Sequence, residues 1–144
     1  MDKALLKQAA IFKDLDEDEL QRVADISDFL ELKYDDYVFH EGDVGDRLYI
    51  IAEGAVRISR NVPGTGEEAL AVLKEGDCFG EMAVFDPSLR STDAIVDSRC
   101  KLITLRRSEF EKLLSADRDL AYKVLWAVVR LLSQRMRATN DNLQ

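Results

Sequence analysis

The run from Phe79 to Ala94 holds the residues whose types and spacing suggest chemistry: Gly80, Glu81, Met82 and Ala83, then Arg90, Ser91, Thr92 and Asp93. Gly80 lets the backbone approach a partner closely or turn with positive φ. The residues after it suit one or two helical turns, which Asp86-Pro87 ends. The start of such a helix presents unpaired N–H groups and a partial positive charge, and both suit an anion. Arg90 adds a planar fork that grips a phosphate with two hydrogen bonds, and Ser91 adds a hydroxyl. Glu81 would repel that anion, so it fits only if it binds something else, such as sugar hydroxyls. The set points to one ligand with a phosphate and a ribose. The same residues also fit a strand–turn–strand with ordinary surface charges.

Several elements must position this run. Leu5, Leu6, Ala9, Ala10, Ile11 and Phe12 suit a short helix and an apolar turn. Asp16 can cap a second helix, with Glu19 at the capping-box position and Leu20, Val23 and Ala24 as its buried stripe. From Asp28 the period becomes two. Expected strands are Phe29–Leu32, Tyr37–His40, a hairpin of Leu48–Ala52 and Ala55–Ser59 turning at Glu53-Gly54, then Ala69–Leu73. Ala94–Val96 and Lys101–Leu105, joined through Asp97-Ser98-Arg99-Cys100, complete a set of seven or eight short strands, as in a β-sandwich, jelly roll or small barrel. The absence of βαβ alternation argues against a Rossmann-type or P-loop fold. Ser108 is placed to cap a helix over Glu109–Leu114, and Asp117 to start a long last helix. On that helix Leu125, Val129, Leu132, Met136, Thr139 and Leu143 follow coiled-coil spacing, while Ala121, Val124, Val128 and Leu131 lie beside them. This reads as a parallel homodimer seam or as one broad face on the chain's own core.

Composition narrows the function classes. The chain has 144 residues, about one domain, and a formal net charge of −8. That balance argues against binding nucleic acid or anionic membranes, although a single pocket of positive groups can still hold a small anion. Met1–Lys7 lacks the apolar run of a signal peptide and no stretch reaches transmembrane length, so a cytoplasmic protein is expected. Cys78 and Cys100 are too few for a disulfide framework or a zinc site. His40, the one histidine, reads as structural, which leaves no nucleophile–histidine pair and no metal site. A cupin-type metalloenzyme needs a histidine cluster that this chain lacks. A non-enzyme without cofactor is expected.

Glu41-Gly42-Asp43-Val44-Gly45-Asp46-Arg47-Leu48-Tyr49-Ile50-Ile51-Ala52-Glu53-Gly54 and Phe79-Gly80-Glu81-Met82-Ala83 followed by Arg90-Ser91 resemble two signatures of one family. It is the cyclic-nucleotide-binding domain of catabolite-activator-type regulators, of regulatory subunits of cyclic-nucleotide-dependent kinases, and of nucleotide-gated channels. The resemblance covers nearly the whole chain. It implies a single domain: N-terminal helices over 1–27, an eight-stranded β-roll over 28–106 with a phosphate-binding cassette at 79–92, and C-terminal helices over 107–144. It implies that Arg90 pairs with the cyclic phosphate, joined by Ser91 and backbone N–H groups between Gly80 and Ala83, and that Glu81 binds the ribose 2′-hydroxyl. Gln134-Arg135-Met136-Arg137-Ala138-Thr139-Asn140 resembles the activator type, in which Thr139 of the same chain and Asn140 of the dimer partner would reach the purine. Asn140 also fits as a polar position ending a coiled coil. Alternation suggests Ile51, Val72 and Met82 as apolar walls. The implied contact set is thus Gly80, Glu81, Met82, Ala83, Arg90, Ser91, Thr92, Val72, Arg135, Thr139 and Asn140.

Thr92-Asp93 stands where the family often has Ala-Thr. Asp93 can pair with Arg90 and compete with a phosphate, or point outward as strand alternation allows. The expected function is a regulatory domain that binds cAMP, with cGMP as the second choice, and moves its last helix in response. The alternative is a degenerate domain kept for dimerisation or docking. No basic helix-turn-helix, kinase or channel segment follows Gln144 here, so the output is expected to lie elsewhere and no nucleic acid is expected to bind this chain.

Overall fold

The structure is a computed structural model that describes residues 3–81, 85, 86 and 88–143, with residues 139–143 in backbone only. It begins with α1 (Lys3–Gln8), a 3-10 turn η1 (Ala10–Phe12) and α2 (Glu17–Asp25). The α2 capping box is closed in both directions. Asp16 accepts from the Glu19 N–H and Glu19 from the Asp16 N–H, each at 2.9 Å, so two orphan donors of the first turn are satisfied. Leu20, Val23 and Ala24 are buried, as the helical spacing requires.

The described strands are β1 (Ser27–Leu32), β2 (Tyr37–Phe39), β3 (Arg47–Val62), β4 (Gly66–Leu73), β5 (Cys78–Phe79) and β6 (Asp93–Arg106). They form one sheet in the order β1-β6-β3-β4, with β2 also on β6 and β5 on β3. The hairpin expected at Glu53-Gly54 is not a turn. β3 runs through it, antiparallel to β6 from Arg47↔Arg106 to Ser59↔Asp93, with register shifts between Ile51 and Val56. Gly54 has φ +92° and lies so close to the Arg99 carbonyl that a Cβ would stand 2.2 Å from its oxygen. A positive-φ glycine here bends a strand pair at a bulge instead of reversing the chain. The join expected at Asp97–Cys100 is likewise the continuous middle of β6. Each long strand thus does the work of two shorter ones in the β-roll.

Side chains of β3 alternate between two cores. Leu48, Ile50 and Ala52 pack with Ile103, Leu105 and the helices, whereas Tyr49, Ile51 and Val56 fill the roll with Phe79, Val96 and Leu102. Because both faces are covered, residues 48–52 form one apolar run. Burial pushes the Cys78 thiol up to about 12, which keeps it a neutral core group.

β6 passes directly into α3 (Arg107–Ala116), where the Arg107 N–H bonds the Asp46 carbonyl at 2.8 Å. The helix therefore starts before Ser108, and Ser108 sits in its first turn instead of capping it. Asp117 does cap α4 (Arg118–Leu143), its carboxylate accepting the Leu120 N–H at 3.1 Å. Leu120, Val124 and Val128 are buried in one core with the N-terminal helices and Phe110, and Ala127 is also buried. Full burial of each of the three larger side chains is worth about 2 kcal/mol. Lys123–Glu19 (2.6 Å) and Arg130–Asp14 (2.7 Å) tie the same half of α4 to α2 and to the loop before it. No helix of the described residues is long and apolar enough to cross a membrane.

On the outer face Arg57 gathers Asp35, Glu67 and Asp97, and Ser59 also donates to Glu67. These bonds hold the Glu67 carboxyl below its ordinary value of 4.5, and the Glu19 N–H does the same for Asp16 below 3.8. Both groups titrate lower folded than unfolded. Their stabilisation is complete above those ordinary values and is lost as pH falls through the folded ones. Melting temperature should therefore drop on acidification below about pH 4.5, and Glu67→Gln should flatten part of that drop. Parallel pH curves for the two proteins would contradict this reading.

Candidate functional site

A cleft of about 340 Å³ opens between β2, the middle of β3, the end of β4, residues 79–81, residues 88–92 and α4. That volume is at the lower end of the range for small-molecule sites. Arg90 lies at its base. Nη1 donates to the Gly80 carbonyl at 3.2 Å and Nη2 to the Arg47 carbonyl at 2.7 Å. The guanidinium carbon stands 4.2 Å from the Phe39 ring centre and 5.9 Å from that of Tyr49, and Tyr49 stacks on Phe79. A delocalised cation tolerates such an aromatic floor. Gly80, at φ +74°, leaves the room this needs, because a Cβ there would sit 2.7 Å from Nη1.

Arg90 is only 8% exposed, and its Nε has no hydrogen-bond partner among the described residues. Burial lowers its pKa, while Tyr49, Asp46, Asp43 and Glu81 act in the opposite direction. A buried guanidinium with a spare donor is a poor structural group and a ready anion receptor. The backbone around it is fixed by the loop before β3. The Gly42 N–H donates to the Arg90 carbonyl and the Arg90 N–H to the Asp43 carbonyl, both at 2.8 Å. Val44 and Leu89 continue this pairing as an isolated bridge.

Glu81 is the second buried charge, 2% exposed, and it forms an ion pair with Arg135 of α4. A carboxylate so buried requires a partner, and here the last helix supplies it. The cleft thus has a cationic base at Arg90 and a carboxylate at Glu81 that is covered from the side of α4.

Of the residues singled out from sequence, Gly80, Glu81, Arg90, Ser91, Thr92 and Arg135 line this one cleft. Val72 does not. It points away at 59% exposure, while its neighbours Ala71 and Leu73 line the cleft. Val72 is corrected by one position, and strand alternation then sends its side chain to the opposite face. Ile51 is likewise moved from the wall, being 1% exposed inside the roll. Met82 and Ala83, with the short helix expected there, lie outside the described residues. Thr139 and Asn140 are on α4, but their side chains lie outside the described set. Phe39 and Ile58 were not anticipated, although both are apolar members of strands that reach the cleft. Asp93 accepts the Glu41 N–H at 2.7 Å, so its carboxylate is engaged away from Arg90. His40 stacks on Tyr37 with ring centres 4.1 Å apart. No group of three or more metal-ligating side chains occurs among the described residues.

The β-roll thus carries a cleft with a buried arginine and a buried carboxylate, and the long last helix reaches it through Arg135. Residues 29–117 match the family described as cyclic nucleotide-binding domain. The chain belongs to that family. Over 106 residues it is 35% identical to a CRP-like cAMP-activated global transcriptional regulator of Mycobacterium tuberculosis, covering 74% of this chain and 46% of that protein. It is 34% identical over 113 residues to the cGMP-dependent protein kinase, isozyme 2 forms cD5/T2, of Drosophila melanogaster, covering 76% of this chain and 12% of the kinase. Among solved structures, the N-terminal domain of a transcriptional regulator from Streptomyces coelicolor A3(2) superposes with a TM-score of 0.82 at 32% identity, covering 97% of this chain and 95% of that one. The chain spans less than half the length of these two curated relatives.

Proposed function

We propose that this domain is a non-catalytic cyclic-nucleotide sensor, binding cAMP in preference to cGMP, whose last helix responds to the ligand. The observation that carries the reading is the buried Arg90 with its spare Nε donor, in one cleft with buried Glu81. A cyclic phosphate is a monoanion, which one arginine balances, and a ribose hydroxyl gives Glu81 a neutral donor. Ser91 and Thr92 stand beside Arg90 to meet phosphate oxygens. Identity to a cAMP-activated regulator and the activator-like run Gln134–Asn140 favour cAMP. In this reading Thr139 of the same chain and Asn140 of a partner reach the base.

The helix response follows from how α4 is held. Its first half is fixed by Leu120, Val124 and two ion pairs. Further along, Arg135 reaches Glu81 inside the cleft. A ligand that engages Glu81 changes what Arg135 binds, so bound and free states differ in the position of the second half. The same ion pair supports a second reading, a docking module in which Arg135 permanently occupies the carboxylate. Thermal melts with each nucleotide separate the two. A sensor gains about 2.7 kcal/mol at a hundred times Kd, more readily with cAMP than with cGMP, whereas a docking module melts unchanged with both.

Leu125, Val129 and Met136 are 47, 56 and 67% exposed along one stripe of α4. Leu132 of that stripe instead packs partly on the chain's own core. We assign the exposed members to a parallel homodimer seam. Light scattering at micromolar concentration should give a dimer, and Val129→Glu a monomer. A monomeric wild type would remove both the seam and the contact from a partner's Asn140.

A further inference from the structure

We infer that Asp93 is a positioning residue for Arg90, acting through the loop before β3. This rests on the sensor reading above. Arg90 has no direct bond to Asp93. It is held at its backbone, where its N–H meets the Asp43 carbonyl and its carbonyl meets the Gly42 N–H, both at 2.8 Å. Those two bonds form only if residues 40–45 lie flat against residues 88–93. The loop is also held at its two ends, where Phe39 pairs with Ala94 of β6 and the Asp46 carbonyl accepts the Arg107 N–H at 2.8 Å. Asp43 accepts the His40 N–H at 2.9 Å within the loop itself, and a Cβ on Gly42 would meet nothing within 4 Å. Beyond the Val44–Leu89 bridge, the Gly45 N–H reaches the Ser88 carbonyl at only 3.3 Å.

Asp93 closes the other end of this zipper. As the first residue of β6, it is fixed by Ser59 across the sheet, and its Oδ1 accepts the Glu41 N–H at 2.7 Å, beside the Gly42–Arg90 bond. The bond is charge-assisted and joins residues 52 positions apart. It ties the loop to the β3–β6 pair, so Arg90 meets the ligand with its backbone already placed. The ordering cost is then carried by folding and not subtracted from binding. The acid that seemed a competitor for Arg90 becomes its support.

The test uses the full chain and three proteins, wild type, Asp93→Ala and Asp93→Asn. The asparagine keeps an acceptor oxygen without the charge. Amide hydrogen exchange of Gly42 and Arg90 reads the zipper without any ligand. Calorimetry with cAMP reads its effect on binding. Asp93→Ala should speed exchange at both amides by about tenfold and weaken cAMP by about tenfold, as expected for one such bond. Amides of Ile50 and Ile103 in the core should not change, and Asp93→Asn, which keeps the acceptor without the charge, should show only about threefold effects on both. Unchanged exchange at Arg90 in Asp93→Ala would overturn the inference. So would faster exchange with unaltered affinity, or an asparagine that behaves like alanine. A wild type that bound neither cAMP nor cGMP would end the sensor reading and the affinity half of the inference. The exchange comparison would still decide whether Asp93 orders Arg90.

Discussion

Replacing Arg90 by glutamine should weaken cyclic-nucleotide binding by about a hundredfold while leaving a folded protein. Two hydrogen bonds from a guanidinium to a phosphate contribute roughly 1.5–3 kcal/mol each, and about 3 kcal/mol in total corresponds to two orders of magnitude in Kd. The effect on folding is smaller because opposing terms meet in the free protein. The wild-type cation is 8% exposed and loses hydration, as its lowered pKa reflects, but it donates to the Gly80 and Arg47 carbonyls. Glutamine forfeits those bonds and also removes a buried charge, so the net change should stay near 1 kcal/mol. Calorimetry beside a thermal melt separates the two quantities. A variant that bound within threefold of wild type would show that Arg90 does not hold the ligand.

The largest effect on stability is expected at Gly54. A Cβ there would stand 2.2 Å from the Arg99 carbonyl oxygen and 2.9 Å from that of Ser98, at φ +92°. Backbone atoms of β6 cannot swing aside as a side chain can. The pair β3–β6 must therefore open at its bulge, and nearby ladder bonds are lost. Strain of about 2 kcal/mol and two bonds at about 1 kcal/mol each bring the cost of Gly54→Ala to about 4 kcal/mol. For a chain of this length that is a melting point lower by on the order of 10 °C. Gly42 is the control. Its φ is +90°, yet a Cβ would meet nothing within 4 Å, so Gly42→Ala should cost only the conformational strain, about 1–2 kcal/mol. Equal losses at the two glycines would mean that the close approach to β6 does not matter.

Gly54 also shows where sequence reading reached its limit. A Glu-Gly pair between two apolar runs fits a turn and a bulge equally well, because both use a positive φ. Only Arg99, 45 positions away in the chain, distinguishes them. The wall of the cleft failed for a related reason. Ala69 to Leu73 are all apolar, so either phase of alternation fits β4, and a register shift between Ile58 and Ser59 hides the correct one. Ser108 was a plausible cap, but the helix begins where β6 feeds it, a tertiary effect that outweighs a local preference. What was legible was local. Asp16 and Glu19 sit three residues apart and close a capping box. Gly80, Glu81 and Arg90 lie close together in the sequence and meet in one cleft. Arg135 joined them only through a family resemblance, and the fold shows the physical link, a buried carboxylate that needs a cation. Asp93 was the reverse case, an apparent competitor of Arg90 until the position of Glu41 revealed what its carboxylate accepts.

The two halves of the cleft assign different tasks to different parts of the chain. In the proposed reading Arg90, in the segment before β6 and over an aromatic floor, provides recognition. Glu81 and Arg135 would connect that recognition to α4, whose exposed stripe is proposed to meet a second copy. A sensor requires both, since binding without a movable contact carries no signal.

A calorimetric titration of the wild-type chain with cAMP tests most directly whether Arg90 and Glu81 hold a cyclic nucleotide. Saturable heat with one nucleotide per chain is expected, weakened about a hundredfold by Arg90→Gln. Absence of heat with cAMP and cGMP at millimolar concentration, with no thermal shift from either, would contradict it.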